Sequence, residues 1–307
     1  MISIVIPVYN EKENLLPLYE ELYDIINHTN EEYEIIFVDD GSTDDSYKIL
    51  KKLSESNSKI RVIKLRRNYG QTAALQAGFS YARGEIIISM DSDLQNDPKD
   101  IPNLLEKIKT DWDVVCGWRK KRHDTFTKRI ISKFSNWLVR KMTGLKIHDM
   151  GCTLRAYKKA TVQNIELYGE LHRYILVLIS WRGFKITEIQ VNHRKREHGR
   201  TKYGLSRIIT GFLDLLLMKF LLSYFSRPML MFGLFGMSSM LLGVIIGTYL
   251  VVQKYFYGIS IGDKPLLLLA ALLIIFGVQF ICTGLIADMI KRTQYQVKQI
   301  YEIEETI

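Results

Sequence analysis

Apolar and polar positions fall into two regimes along the 307-residue chain. Through the first ninety residues short runs rich in Ile and Val recur: Ser3 to Pro7, Glu34 to Asp39, Ile60 to Lys64 and Glu85 to Met90. Longer stretches with apolar residues at helical spacing separate them. A strand that returns after every helix predicts an α/β domain over residues 1–203, with a mostly parallel sheet and helices on both faces. Further on the pattern changes. Met229 to Val252 and Pro265 to Ala287 contain no charged residue, and each is long enough to cross about 30 Å of hydrocarbon as a helix. Two transmembrane helices are expected within 228–290. The alternative, a pair of buried helices in a soluble core, requires such helices to run unusually far without a charge.

Between these regimes, Gly204 to Ser226 is apolar around most of a helical circumference but keeps Arg207, Thr210, Gly211 and Asp214 on one stripe, with Lys219 further along. This predicts an interfacial amphipathic helix over 204–227, because a third span would carry three charges into hydrocarbon. Phe126 to Met142 interleaves Phe126, Ile130, Phe134, Trp137 and Leu138 with Lys128, Arg129, Lys133 and Arg140. It either rests on the bilayer or packs as an ordinary surface helix. Arg227 precedes the first span and Lys291, Arg292 and Lys298 follow the second, against Lys254 and Lys264 in the connector. That bias predicts a multi-pass protein of the cell membrane with both termini cytoplasmic and 291–307 as a cytoplasmic tail. The chain opens Met1-Ile2-Ser3 directly on a strand with no basic leader, so the large domain is expected to stay where it is made. Cys116, Cys152 and Cys282 fit no zinc or redox spacing, which suits a reducing compartment.

Ligands of a mostly parallel sheet sit beyond the carboxyl ends of its strands, and all four such segments are polar here. The first is Pro7-Val8-Tyr9-Asn10-Glu11 and the second Asp39-Asp40-Gly41-Ser42-Thr43-Asp44. Their carboxylates suit ribose and base, although Ser42, Thr43 and Asp44 equally suit capping of the next helix. The third, Arg66-Arg67-Asn68-Tyr69-Gly70-Gln71, opens a helix and offers amide and guanidinium donors to phosphate. In the fourth, Asp91-Ser92-Asp93-Leu94-Gln95, extended backbone points two carboxylates and an amide the same way. Carboxylates that close repel unless a cation joins them, which implies Mg²⁺ or Mn²⁺ shared with substrate phosphates. Phosphate loops of the Gly-x-x-x-x-Gly-Lys and Gly-x-Gly-x-x-Gly types are absent, which removes P-loop ATPases and dinucleotide oxidoreductases.

Together, Pro7 to Glu11, Asp39 to Asp44, Asn68 to Gln71 and Asp91 to Pro98 resemble family-two glycosyltransferases of GT-A fold. With its two C-terminal helices the chain is similar over its whole length to polyprenyl-phosphate glycosyltransferases, such as dolichyl-phosphate mannose synthases and bacterial undecaprenyl-phosphate glucosyltransferases. The resemblance implies a cell-envelope enzyme that passes a hexose, with inversion, from a nucleotide-diphosphate sugar to a polyprenyl phosphate. It implies that Pro7, Tyr9, Asn10, Glu11, Asn68 and Gln71 line the donor site, with Asp39 and Asp40 near the nucleoside. It further implies that Asp91, Asp93 and Gln95 hold metal and diphosphate. It places Asp149, in His148-Asp149-Met150-Gly151, as the acidic residue nearest the reacting centre and, among the residues lining the donor site, counts Arg155, which completes an Asp-x-Gly-x-x-x-Arg pattern. Cys152 and Thr153 depart from it, standing where many relatives carry Asp and Phe. Gly199-Arg200-Thr201-Lys202-Tyr203-Gly204 resembles a segment whose basic residues approach phosphate, giving Arg200 and Lys202 that role.

The departing diphosphate gains negative charge in the transition state, so a cation at Asp91 and Asp93 has work there, with Arg200 and Lys202 assisting. A lipid phosphate is already ionised at neutral pH, so Asp149 is expected to orient the acceptor or take a residual proton. His193 and His198 either donate to phosphate or are solvated loop residues, and His148 is similar. The net charge of +9 suits anionic headgroups and phosphates. Nucleic acid has no recognisable module here. Uridine diphosphate glucose is the expected donor. A processive polysaccharide synthase, the first alternative, calls for a Gln-x-x-Arg-Trp clamp, to which only Ser180-Trp181-Arg182 comes near. A non-catalytic membrane scaffold is the second. Gly233, Gly236, Gly243 and Gly247 could seat a second copy of the chain or pack the two spans together.

Overall fold

The computed structural model describes residues 1–29, 31–120, 140–141, 144–163, 165, 167, 169, 171–195, 228–262 and 264–297, with side chains through 290. Arg200, Lys202, His198, the stretch 204–227, nearly all of 126–142 and the tail beyond 297 lie outside them. The chain divides into two compact units, Met1–Leu215 and Leu216–Ile307.

In the first unit, β1 (Ile2–Val8), β2 (Tyr33–Asp39), β3 (Ile60–Lys64), β4 (Ile86–Ser89), β5 (Val114–Trp118), β6 (Arg155–Lys158) and β7 (Ile186–Gln190) form one sheet. Its order is β3-β2-β1-β4-β6-β5-β7. β1 is parallel to β2 and β4, and β5 to β7, while β6 runs antiparallel to β4 and β5. β1 and β2 are buried along their whole length, which explains their unbroken apolar runs. The helices α1 (Leu15–Asn27), α2 (Ser46–Ser56), α3 (Gln71–Tyr81) and α4 (Ile101–Ile108) connect the first five strands. α1 buries Leu15, Leu18, Leu22 and Ile26, a spacing that stays on one helical face. The short α5 (Lys159–Val162) and α6 (Ile175–Trp181) follow β6.

At the amino end of the sheet Glu34 is buried in β2. It accepts from Ser3 Oγ at 2.6 Å, Arg83 N at 2.7 Å and Arg61 Nη1 at 2.9 Å. Burial alone raises its carboxyl, but the three donors and the Arg61 charge outweigh that and hold it below the ordinary glutamate value. A depressed folded value contributes stability that is complete above the unfolded value and disappears as pH falls through the folded one. Glu34→Gln is expected to cost about 2 kcal/mol at pH 7, roughly 4–8 °C of unfolding temperature for a domain this size. The gap from wild type should close on acidification, as read by thermal unfolding in detergent across a pH series.

In the second unit, α7 (Pro228–Tyr257) and α8 (Pro265–Val297) pair along their length. Both are long and apolar enough to cross a membrane. They present apolar side chains outward, Phe235 at 62% exposure and Leu268 at 65%, unlike helices of a soluble core. Gly236 and Gly277 touch backbone to backbone: a Cβ on either falls 2.7 Å from the other's carbonyl oxygen. Gly243 meets Ala270 O in the same way at 2.9 Å, and Ser239 Oγ donates to Leu273 O at 2.8 Å. Gly236 and Gly243 therefore pack the spans together, while Gly247 meets nothing within 4 Å.

Candidate active site

The strand order reverses at β1, where the chain passes to β2 and β3 on one side and returns at β4 on the other. β1 and β4 pair only as far as Val5 and Ser89, after which Met90 N donates to Val5 O. Pro7 points the same way as Val5, toward the side where the β4 ladder has ended. Its missing N–H therefore leaves no ladder bond unmade, and Ser92 Oγ donates to its carbonyl at 3.0 Å. The crevice opened there is where ligands of such sheets bind.

Two loops wall one side. Asn10 sits at φ 55°, a conformation Asn tolerates. Its Oδ1 accepts from Thr43 N at 2.8 Å and, at 3.3 Å, from Thr43 Oγ1 and Asp44 N. Asn10 N donates to Ser42 Oγ and Glu11 N to Ser46 Oγ, both at 3.0 Å. Asp44 Oδ1 also accepts from Ser46 N at 2.9 Å, at the start of α2. Asp39 and Asp40 take separate tasks. Asp39 is fully buried; its Oδ1 accepts from Ser42 N at 3.2 Å, and its Oδ2 has no partner among the described residues. Asp40 accepts from Tyr69 N at 2.7 Å and Gly70 N at 2.9 Å, so both oxygens hold the loop before α3. Burial pushes its carboxyl up, the two backbone donors oppose this, and the Asp39 charge adds to the rise. Gly41, at φ 67°, lies against that loop, where a Cβ would fall 2.4 Å from Arg67 C. Tyr9 and Glu11 are half-buried and Asn68 is exposed at the rim.

The acidic segment after β4 is bent over residues 92–94 rather than extended. Leu94 takes φ 60°, a left-handed conformation that costs a branched residue about 1–3 kcal/mol and is held by burial of its side chain. The expected alternation of side chains therefore does not bring the two aspartates together; the bend does. Asp91 Oδ1 accepts from Gln71 Nε2 at 2.7 Å and Oδ2 from Thr153 Oγ1 at 2.8 Å. Gln71, expected at phosphate, is directed at Asp91 because Gly70 starts α3 beside it. Asp93 is buried, and its Oδ1 accepts from Gln95 N at 3.2 Å. Burial and the neighbouring Asp93 charge push the Asp91 carboxyl up to about 6. No group of three or more His, Cys, Asp or Glu is placed to hold a metal ion by itself among the described residues. A hard divalent ion held by one or two carboxylates and completed by substrate phosphates fits this mutually repelling pair.

Asp149 faces the end of β5. Arg119 forks it with Nε to Oδ2 at 2.7 Å and Nη2 to Oδ1 at 3.0 Å, while Arg119 N and Gly151 N also donate to it. Arg119 went unrecognised in the sequence, where it only begins a basic run; its place directly after a strand was the available signal. Arg155 is buried behind this loop. Its Nη2 donates to Met150 O at 2.6 Å and its Nη1 lies 3.5 Å from the Tyr157 hydroxyl, so it braces the Asp149 loop from inside the sheet instead of lining the donor site. His148 pairs with Glu188 through Nδ1 and stacks on Trp118, ring centroids 4.6 Å apart. Cys116 and Cys152 are buried, and burial pushes both thiols up, Cys152 to about 11. They are poor nucleophiles.

The stretch following β7 returns to the acidic segment. Arg194 N donates to Gln95 O at 2.9 Å, and its guanidinium binds both Glu21 oxygens and Asp97 Oδ1. Asn192 Nδ2 donates to Asp97 Oδ2 at 3.0 Å. His193 is 5% exposed; it is a packed residue and not a solvated loop histidine, because Asn96 bridges to it across the backbone.

Comparison with known proteins fits this geometry. A family model described as glycosyl transferase family 2 matches residues 3–165. The chain is 39% identical over 314 residues to dodecaprenyl-phosphate galacturonate synthase of Rhizobium johnstonii, covering 98% of this chain and 93% of that protein. It is 37% identical over 299 residues to undecaprenyl-phosphate 4-deoxy-4-formamido-L-arabinose transferase of Pseudomonas fluorescens, covering 97% of this chain and 86% of that one. Among solved structures, glucosyl-3-phosphoglycerate synthase of Mycobacterium tuberculosis with Mn²⁺, uridine diphosphate and phosphoglyceric acid has a TM-score of 0.57 at 17% identity. That match covers 71% of this chain and 78% of the other and establishes likeness of fold. A family model spanning the crevice-bearing sheet, with relatives alike over almost their whole length, settles the matter: the chain belongs to glycosyl transferase family 2, with the GT-A fold.

Proposed function

We propose that this protein transfers a sugar from a nucleoside diphosphate to the phosphate of a polyprenyl lipid at the cytoplasmic face of a cell membrane, with the help of a divalent cation. The observation that carries the proposal is the Asp91 and Asp93 pair at the sheet reversal, in a chain that also bears two outwardly apolar spans. The names of both polyprenyl-phosphate relatives support the acceptor, and the Mn²⁺ of the glucosyl-3-phosphoglycerate synthase complex supports the cation. Asp91 and Asp93, with Gln95 beside them, would hold it.

When bound, Mg²⁺ or Mn²⁺ supplies positive charge to the diphosphate as it departs. The chain does the rest. An oxygen of the lipid phosphate bonds to the anomeric carbon while that carbon's bond to the diphosphate oxygen breaks, its electron pair leaving with the diphosphate; attack from the opposite face inverts the centre. No proton need leave the attacking phosphate at neutral pH, so Asp149 is free to act as the anchor of Arg119. Asp39 Oδ2, buried and without a partner among the described residues, is the acceptor we assign to an N–H or O–H of the nucleoside. Arg194 fixes the start of the basic segment beside Gln95. Arg200 and Lys202, which we assign to phosphate, follow Arg194 by six and eight residues in the sequence. Trp181 and Arg182 do not form a polymer-holding clamp: Arg182 binds the carbonyls of Thr161 and Gln163, beyond β6 and at the amino ends of β4 and β5.

Charge bias around the spans supports cytoplasmic termini. For the donor, uridine diphosphate glucose stands beside the galacturonate and formamido-arabinose named by the relatives. The test is a panel of radiolabelled uridine diphosphate sugars, these three included, given to purified protein with undecaprenyl phosphate. Label should enter the organic phase from one donor, vanish with EDTA and return with Mn²⁺. Label from none of them, or label indifferent to EDTA, would overturn the proposal.

A further inference from the structure

The loop entering β6 holds Cys152 and Thr153, and the fold brings Thr153 to the acidic pair. β6 runs antiparallel to β4 with Ser89 opposite Arg155. Continuing that register two residues puts Asp91 opposite Thr153. Three bonds then fix the threonine. Ser89 Oγ donates to its carbonyl at 2.7 Å, Asn96 Nδ2 donates to its hydroxyl at 3.0 Å, and the hydroxyl donates to Asp91 Oδ2 at 2.8 Å. A hydroxyl has a single hydrogen; with Asn96 acting as donor, that hydrogen belongs to Asp91. Gln71 Nε2 holds the other oxygen at 2.7 Å, so the carboxylate plane is clamped from two elements while each oxygen keeps a lone pair for a ligand. Arg155 and His172 line the same small enclosed pocket behind Asp91.

We infer that Thr153 is a positioning residue for the cation, its hydroxyl orienting the Asp91 carboxylate and so setting how tightly the divalent ion is held. A phenylalanine at this place has no hydroxyl to offer, so this means of holding Asp91 is particular to chains that carry Thr or Ser there. The inference rests on the proposed cation role of Asp91 and Asp93. Partners that orient a metal-binding group are commonly worth about 10–100-fold in metal affinity.

The experiment uses full-length protein in detergent with uridine diphosphate, reading bound Mn²⁺ from the loss of the free-ion electron paramagnetic resonance signal. Thr153→Val, which keeps the shape and loses the hydroxyl, should weaken Mn²⁺ binding at least tenfold; Thr153→Ser should stay within about threefold of wild type. Unfolding temperatures serve as the control, and Thr153→Ala carries the same expectation as valine should valine not fold. Absent Mn²⁺ binding in wild type overturns the cation role itself, and this inference with it. Normal wild-type binding with unchanged affinity in Thr153→Val overturns the assignment of Thr153 alone, as does an equal loss in the valine and serine variants, which would assign the effect to disturbed packing at this position and not to the hydroxyl.

Discussion

Alanine at both Asp91 and Asp93 is expected to lower sugar transfer to polyprenyl phosphate by about a thousandfold or more, the scale of losing the principal stabilisation of a developing anion. The unfolding temperature should move little. Asp91 has its carboxyl pushed up to about 6 by burial and by Asp93. A folded value above the unfolded one means that stability falls as pH rises through the interval between them, so at pH 7 the charged Asp91 costs the fold stability. Removing it relieves that cost and forfeits the bonds from Gln71 and Thr153, two changes of opposite sign. Such a separation of activity from stability is characteristic of groups kept for function. Turnover by release of label into the organic phase, set beside thermal unfolding of the same preparations, checks both halves. Undiminished transfer removes the pair from the chemistry, and a collapse of unfolding temperature makes the aspartates structural.

The first strands of the sheet were legible from their Ile and Val runs, which in β1 and β2 reflect burial on both faces. Ile2–Val8, Tyr33–Asp39 and Ile60–Lys64 lie within a residue of the runs read from the sequence, and the spans began where charge stopped. The second half of the sheet was not legible. β6 is Arg-Ala-Tyr-Lys, and nothing in four residues with two charges announces a central strand that buries its arginine against a loop carbonyl. With β6 hidden, its register was hidden too, and so was the meeting of Thr153 with Asp91. The same holds for Asp40. An aspartate beside Asp39 reads as a second nucleoside contact, whereas its two oxygens are used on backbone N–H groups thirty residues away in sequence. Local pattern reports burial and period; which donor a carboxylate finds is a property of the assembled sheet.

Asp149→Asn is expected to lower turnover at least a hundredfold while the affinity for uridine diphosphate stays within about threefold, and the reason lies in Arg119. The guanidinium meets both carboxylate oxygens, at 2.7 and 3.0 Å, with little solvent at either partner. An amide accepts on one side only, so the substitution leaves a largely buried cation half-paired and free to swing. An aspartate acting through Arg119 makes a specific pattern of losses. Arg119→Lys should show a comparable fall, since an ammonium cannot reproduce the fork, and the double variant should lose no more than the worse single one, as expected for residues that work as a unit. An aspartate that takes a proton independently of Arg119 would instead make the two losses multiply. Single-turnover rates for the four proteins of this cycle, measured at saturating donor, distinguish the two. Multiplied losses would return Asp149 to the role of base, and turnover unchanged by Asp149→Asn would remove it from the site.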